Sequence, residues 1–257
     1  MTRQGFGRRR PPSALRRNSE GLFRLFLAEG REPGPFYERL AHDAVRGIPF
    51  ALQGATVVDL GCGPGYYTRA LRSSGARVLP IDLNPTEFGL AGGPPGDEMV
   101  ASGMALPLAT GSVDGVFSSN MIEHTPDPGQ VVSEAERVLR IGGWLWLSWT
   151  NWYSPWGGHD MSPFHYLGPR LGMRVRNAVG LPEPKNYPLR SLFPLHIGAT
   201  LRMIGRRPGL RVLAVEPRYY PSHRWLVRVP GLREIATWNC VVLAQRVEEG
   251  RTARRRG

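Results

Sequence analysis

The run Thr56-Val57-Val58-Asp59-Leu60-Gly61-Cys62-Gly63-Pro64-Gly65-Tyr66-Tyr67-Thr68 constrains this chain more than any other stretch. Thr56–Leu60 is short, apolar and partly β-branched, the pattern of a buried strand. Gly61, Gly63 and Gly65 then remove the Cβ from alternate positions of a tight turn. Helix-compatible residues follow from Thr68 to Arg72, so the unit reads strand, glycine turn, helix. A turn leaving a buried strand visits positive φ, and a ligand lying on it needs bare backbone; glycine supplies both. The first amides of the helix point at whatever the turn holds.

Spacing narrows the ligand. A dinucleotide fingerprint, G-x-G-x-x-G, uses its third glycine for close helix–strand packing. Here the third glycine comes one residue early, and Tyr66 stands at the fingerprint position. Asp59, just before the turn, repels a pyrophosphate and suits a ligand carrying an ammonium and a sulfonium. A second strand, Arg77–Asp82, ends in an acid 17 residues beyond Gly65. In nucleoside-binding α/β folds a carboxylate at that tip accepts hydrogen bonds from ribose hydroxyls. With Pro85 close behind, Asp82 is also a candidate helix N-cap, and the two roles are compatible.

The D-x-G-x-G-x-G spacing resembles the first motif of the class I S-adenosylmethionine (SAM)-dependent methyltransferases. The segments Ala101–Leu108, Gly111–Asn120 and Glu123–Pro128 are similar, in order, to that family's third and fourth strands and the "E-H" after them. The resemblance covers Asp59 to Thr150. It implies a SAM-using enzyme with a Rossmann-like, doubly wound, mostly parallel seven-stranded sheet, its last strand antiparallel and helices on both faces. It also implies cofactor contacts from Asp59, Gly61, Cys62, Gly63 and Gly65 at the turn and from Asp82 and Leu83 at the second strand's tip. Ser102, Gly103, Met104 and Asn120 complete that set. Many members carry Asp for the adenine amino group where this chain has Ser102, so adenine is expected on backbone amides near Gly103 and Met104, with Met104 as apolar wall. Shorter pieces ("S-G-M-A-L-P", "G-G-H-D-M", "H-Y-L-G", "P-G-L-R-E") look like a bacterial subgroup of these enzymes and leave the acceptor open.

The formal charge of +12 at first suggests nucleic acid. Its location argues otherwise: residues 1–20 hold six Arg and one Glu, residues 251–257 four Arg, so nine of the twelve net charges lie in the two ends. Residues 1–20 and 251–257 read as solvated basic tails around one methyltransferase domain, 21–250. No run is long enough for a membrane span or a secretion signal. Cys62 and Cys240 lie far apart with neither a disulfide framework nor metal spacing, which fits a reducing cytoplasm and no bound metal.

Pro35–Ile48 spaces Phe36, Leu40, Ala44 and Ile48 as a helix; Phe36 and Tyr37 either cover the cofactor as a lid or pack on the sheet. Gln130–Leu139 is an amphipathic helix opened by Pro128 and closed by Gly142-Gly143. Trp144–Trp149 is a fifth strand covered on both faces. Pro188–Arg206 predicts a helix with Leu195, Ala199 and Met203 on one stripe, and Leu210–Glu216 and Asn239–Val247 predict the last two strands. Between them Trp225, Leu226, Arg228 and Arg233 mix charge with apolar bulk, compatible with a membrane surface and, more simply, with packing.

Asn151–Tyr166 is too polar and broken for an element. The insertion 151–187 leaves the cofactor edge of the sheet, where its residues meet an acceptor. Trp152, Tyr153 and Trp156 form either an acceptor sandwich or a local plug. His165, like His159, is weighed between an acceptor contact and a structural role. Methyl transfer to oxygen needs a base near neutral pH, which makes His124 and His159 the catalytic candidates beside the simpler reading of structural histidines. The sequence therefore predicts a methyltransferase acting on a small-molecule, glycan or lipid-linked acceptor, preferably at oxygen. The amino-methylating Asn-Pro-Pro pattern is missing after strand four, where Ser118-Ser119-Asn120-Met121 stands. Alternative readings are an RNA methyltransferase anchored by its Arg tails, a SAM-binding module without turnover and, more distantly, a nicotinamide dehydrogenase.

Overall fold

The computed structural model describes residues 18–92 and 97–248. Of the tails predicted at 1–20 and 251–257, residues 1–17 and all of 251–257 lie outside them, as do residues 93–96. Seven strands form one sheet: β1 (Thr56–Leu60), β2 (Arg77–Asp82), β3 (Met99–Val100), β4 (Val113–Ser119), β5 (Leu139–Thr150), β6 (Leu210–Pro217) and β7 (Asn239–Arg246). Their order is β3-β2-β1-β4-β5-β7-β6. β1 runs parallel to both β2 and β4, and β7 is antiparallel to both its neighbours. The chain leaves β1 towards β2 on one side and later returns to β4 on the other, so the crevice between their carboxyl ends is the switch point where such sheets bind ligands.

Alternation along the strands divides the core. Val58, Leu60, Val116, Leu145 and Leu147 face α4 (Pro128–Val138) and α6 (Ile197–Gly205). Val57, Val78, Phe117, Trp144 and Trp146 face the other way, among Val45 of α2 (Pro33–Arg46) and Leu71 of α3 (Tyr66–Ser73). Both faces of the central strands are covered, so their sequences read as unbroken apolar runs. Phe117 and Trp146 stack at 4.3 Å between ring centroids.

Several expectations need correction. Helix α1 (Asn18–Ala28) begins inside the stretch assigned to the N-terminal tail. α4 is not closed by Gly142-Gly143: Leu139 is already extended, its side chain buried, and β5 starts there. Gly142, at φ +84°, sits instead inside β5, beside the register shift between Val113 and Gly115. α6 starts only at Ile197, after His196 in extended conformation, and buries Ile197, Gly198, Thr200 and Ile204; Ala199 faces solvent. The segment after β5 does contain elements, two short 3-10 turns (His159–Met161 and Phe164–Leu167) and α5 (Pro169–Ala178). They form around a small core of their own, Trp152, Met161 and Leu192 with Met173 against it.

Candidate active site

The glycine turn is built by strain that only glycine tolerates. Gly61, Gly63 and Gly65 have φ of +76°, +47° and +93°. A Cβ on Gly61 would lie 2.4 Å from Met121 Cγ, so the turn and the segment after β4 approach through that missing methyl. The Gly61 and Cys62 amides both donate to the Ile81 carbonyl, and Cys62 is buried filler whose thiol burial pushes up.

Asp82 ends β2 with both oxygens in use: Oδ2 accepts from the Gly63 N–H at 2.9 Å and Oδ1 from the Asn84 N–H at 2.9 Å. One carboxylate thus ties the tip of β2 to the glycine turn. The N-cap of the following 3-10 turn (Pro85–Glu87) is Asn84 rather than Asp82. Leu83, next in line, is 69 % exposed. Asp59 lies beneath the turn, 1 % exposed, its Oδ2 accepting from the Thr68 hydroxyl at 2.6 Å. Burial outweighs that hydrogen bond and raises Asp59 from 3.8 to about 7, with the Asp82 charge adding to the rise. Asp59 thereby anchors the first turn of α3.

On the far wall, the Ser102 hydroxyl accepts from the Met104 N–H at 3.2 Å, so that amide is already engaged by its own chain. Met104 and Met121 pack on the core cluster below. Asn120 sits in the left-handed region at φ +54°, its side-chain oxygen accepting from Asn239 at 2.7 Å. Non-glycine residues held in that region are concentrated at functional sites.

The sequence did not reveal Arg218. It follows β6, stands over the Tyr67 and Trp146 rings, and donates to the Ser119 hydroxyl at 2.8 Å, the Ser148 hydroxyl at 3.2 Å and the Tyr67 hydroxyl. Only its neighbourhood of aromatic residues hinted at a role, and that was shared with the exposed Trp225.

The histidines come together. His124 and His159 rings are 5.3 Å apart and nearly perpendicular, and Glu123 joins them: ligand-capable atoms of the three lie within 4.8 Å of one another. No sequence spacing betrays this cluster, since 35 residues separate its halves. His124 Nδ1 lies 2.6 Å from the Ser191 carbonyl, which can only accept, so Nδ1 carries the proton and Nε2 the lone pair. Burial and the neighbouring His124 lower His159 to about 4. His165 is set apart, buried and tied through Nε2 to the Ser154 carbonyl at 3.0 Å. The three aromatics also part company: Trp152 is the buried plug, Tyr153 meets His196, and Trp156 packs against Trp238 and Phe26 of α1. Tyr37 stacks on Tyr66, with Phe36 buried beside it.

A doubly wound sheet whose first turn is stripped of side chains, and whose second strand ends in an acid bonded to that turn, is built to hold a nucleoside-bearing ligand at its switch point. Residues 58–147 match the family described as a methyltransferase domain. An uncharacterized methyltransferase of Mycobacteroides abscessus is 38 % identical over 248 residues, spanning 90 % of this chain and 94 % of that protein. One from Mycobacterium bovis is 39 % identical over 251 residues, spanning 90 % and 95 %. The crystal structure of a SAM-dependent methyltransferase from Mesorhizobium loti superposes with a TM-score of 0.57 at 24 % identity, over 80 % of this chain and 98 % of that one. The chain belongs to the class I SAM-dependent methyltransferases. It is an enzyme of that family, and its cofactor is SAM.

Proposed function

We propose that this methyltransferase moves the methyl group of SAM to an oxygen of a small-molecule, glycan or lipid-linked acceptor, with His124 and His159 at the acceptor. The carrying observation is the convergence of two imidazoles beside β4, one with its proton fixed on Nδ1 and the other kept neutral by burial. In this reading the Gly61–Gly65 amides and Asp82 hold the adenosyl part, Leu83 and Met104 flank adenine, and Asp59, raised to about 7 in the free chain, is drawn into its ionised form under the sulfonium end. The acceptor oxygen attacks the methyl carbon in line as the carbon–sulfur bond breaks; the bond pair stays on sulfur. Most of the acceleration comes from that alignment. The hydroxyl proton leaves towards the imidazole lone pairs, of which that of His159 is weakly basic because burial disfavours its charged form.

A lipid-linked acceptor is favoured by one further feature. Trp225, Val229, Leu232 and Ile235 are exposed beside the exposed Arg224 and Arg228, an apolar strip with basic flanks suited to an anionic lipid surface. Among the described residues no helix is long and apolar enough to cross a membrane, so contact of this kind is peripheral.

The test is a double variant, His124→Ala/His159→Ala, assayed with methyl-labelled SAM against fractionated cell extract. Turnover should be lost while calorimetric SAM binding persists. Undiminished turnover removes both histidines from the mechanism, and loss confined to RNA fractions assigns the enzyme to nucleic acid.

A further inference from the structure

Three polar groups in this molecule are placed as metal ligands, and the transfer reaction as read above does not need all of them. Glu123 is 1 % exposed. Its Oε1 accepts from the Thr150 N–H at 2.9 Å, but Oε2 is buried without a hydrogen-bond partner. His159 Nε2 is likewise buried and unpartnered. An unpaired carboxylate oxygen and an unpaired imidazole nitrogen in one buried cluster are costly unless something joins them. Among the described residues, no Arg or Lys forms an ion pair with Glu123; Arg218, whose charge acts on it, spends its hydrogen bonds on Tyr67, Ser119 and Ser148.

The orientation of His124 points the same way. Metal-binding histidines almost always donate their second ring N–H to a carbonyl or carboxylate, which fixes the tautomer and aims the lone pair. His124 does this to the Ser191 carbonyl. Ser191 is in turn fixed by its neighbours: the Ser191 N–H donates to the Tyr187 carbonyl, and the Phe193 N–H donates to the Glu123 carbonyl at 2.7 Å. His159 is delivered by a backbone held at φ +48°, a conformation few non-glycine residues adopt. Two backbone restraints and one strained residue thus converge on one point.

We propose that Glu123, His124 and His159 bind one divalent first-row transition-metal ion. Two imidazoles and a carboxylate suit zinc and its neighbours, whereas calcium and magnesium prefer all-oxygen ligands. Closing ligand atoms that lie within 4.8 Å onto a tetrahedron with bonds of roughly 2.0–2.1 Å asks for side-chain rotations of about an ångström. Three protein ligands leave a coordination position for a fourth, oxygen-bearing ligand. Binding of the ion stands independently of the acceptor; that its fourth ligand is the acceptor oxygen rests on the reading given under Proposed function. In that case the ion would lower the hydroxyl's pKa, and the hydroxyl proton would leave to water because the imidazole lone pairs are then spent on the ion.

The experiment uses the full chain, stripped by chelator and dialysed, with Co2+ as spectroscopic probe and Zn2+ as competitor. Wild type should take up one Co2+ per chain, with the visible absorption of a low-coordinate site that Zn2+ abolishes. Glu123→Gln and His159→Ala should each weaken Co2+ binding by roughly a hundredfold or more, beyond the 10–100-fold typical of outer-shell changes. SAM affinity, measured on the same samples, serves as the folding control and should be unchanged. His165→Ala, outside the cluster, should bind Co2+ like wild type. Failure of wild type to bind Co2+ or Zn2+ while still binding SAM overturns the metal site and leaves the methyltransferase reading intact. Stoichiometric binding that survives both cluster variants also overturns it, since the ion then sits elsewhere.

Discussion

Replacing Asp59 with Asn gives the sharpest test of how the glycine turn is supported. The carboxyl is buried under the turn and raised from 3.8 to about 7, because lost hydration outweighs the Thr68 hydroxyl's hydrogen bond. Folded chains therefore keep its proton up to about pH 7, whereas unfolded chains lose it near the ordinary carboxylate value. Between about pH 4 and 7 the folded state holds one proton more than the unfolded state, so this group's contribution to stability falls as pH rises. Three pKa units at 1.36 kcal/mol each make the penalty roughly 4 kcal/mol once pH exceeds 7. Asn keeps an oxygen for Thr68 and never ionises. Urea unfolding of wild type and Asp59→Asn at several pH values isolates the effect, because all other groups cancel in the difference. The variant should match wild type near pH 4 and exceed it by up to about 4 kcal/mol at pH 8. Parallel curves across that range would refute the assignment of a protonated, buried Asp59. The same logic applies to the cofactor: a sulfonium settling above Asp59 favours its ionised form, so SAM binding near pH 7 should release protons in wild type and none in the variant, as read by calorimetry in buffers of different ionisation heat.

Asp82→Ala removes the acceptor of two backbone amides together with its proposed ribose contacts; SAM affinity should fall at least about a hundredfold, equivalent to roughly 3 kcal/mol, and an unchanged calorimetric Kd would break the link between β2 and the cofactor. Gly61→Ala meets both an unfavourable φ and the Met121 side chain, so it should destabilise the fold by about 2–4 kcal/mol; the double change with Met121→Ala, which leaves the Met121 Cβ 2.6 Å away, should recover only a fraction of the steric part, and a wild-type melting temperature in Gly61→Ala would show that the turn is not under this constraint.

The half of the site that was legible in the sequence is the half built from neighbours in the chain. β1, its glycine turn and β2 follow from a local pattern, and their ranges in the fold, Thr56–Leu60 and Arg77–Asp82, coincide with the stretches read as strands. The seven-stranded, mostly parallel sheet with its antiparallel last strand followed from the family resemblance and holds in the fold; its strand order is read from the structure. What escaped reading depends on side chains meeting over long separations: Arg218 reaches Ser119 across 99 residues and Tyr67 across 151, and Asn239 reaches Asn120 across 119. The Glu123–His124–His159 cluster escaped for the same reason, as did the division of Trp152, Tyr153 and Trp156 among three environments. Periodicity also misplaced the starts of β5 and α6, because it counts apolar positions without seeing that a buried Leu139 extends the strand or that Pro194 delays the helix.

The grip of Arg218 on Tyr67, Ser119 and Ser148 bears on the order in which the molecule becomes complete. During synthesis every family motif from Asp59 to His124 emerges before the guanidinium that joins two of its hydroxyls, Tyr67 and Ser119, to Ser148 of β5, and before Asn239, which holds Asn120. A nascent chain that has exposed its glycine turn still has an unbraced rim, finished only when β7 slots in between β5 and β6. The helix after the glycine turn and the tip of β4 are thus tied to the carboxyl-terminal strands by side chains more than a hundred residues away in the chain, so a truncation of the hairpin removes contacts at Tyr67 and Asn120 as well as two strands.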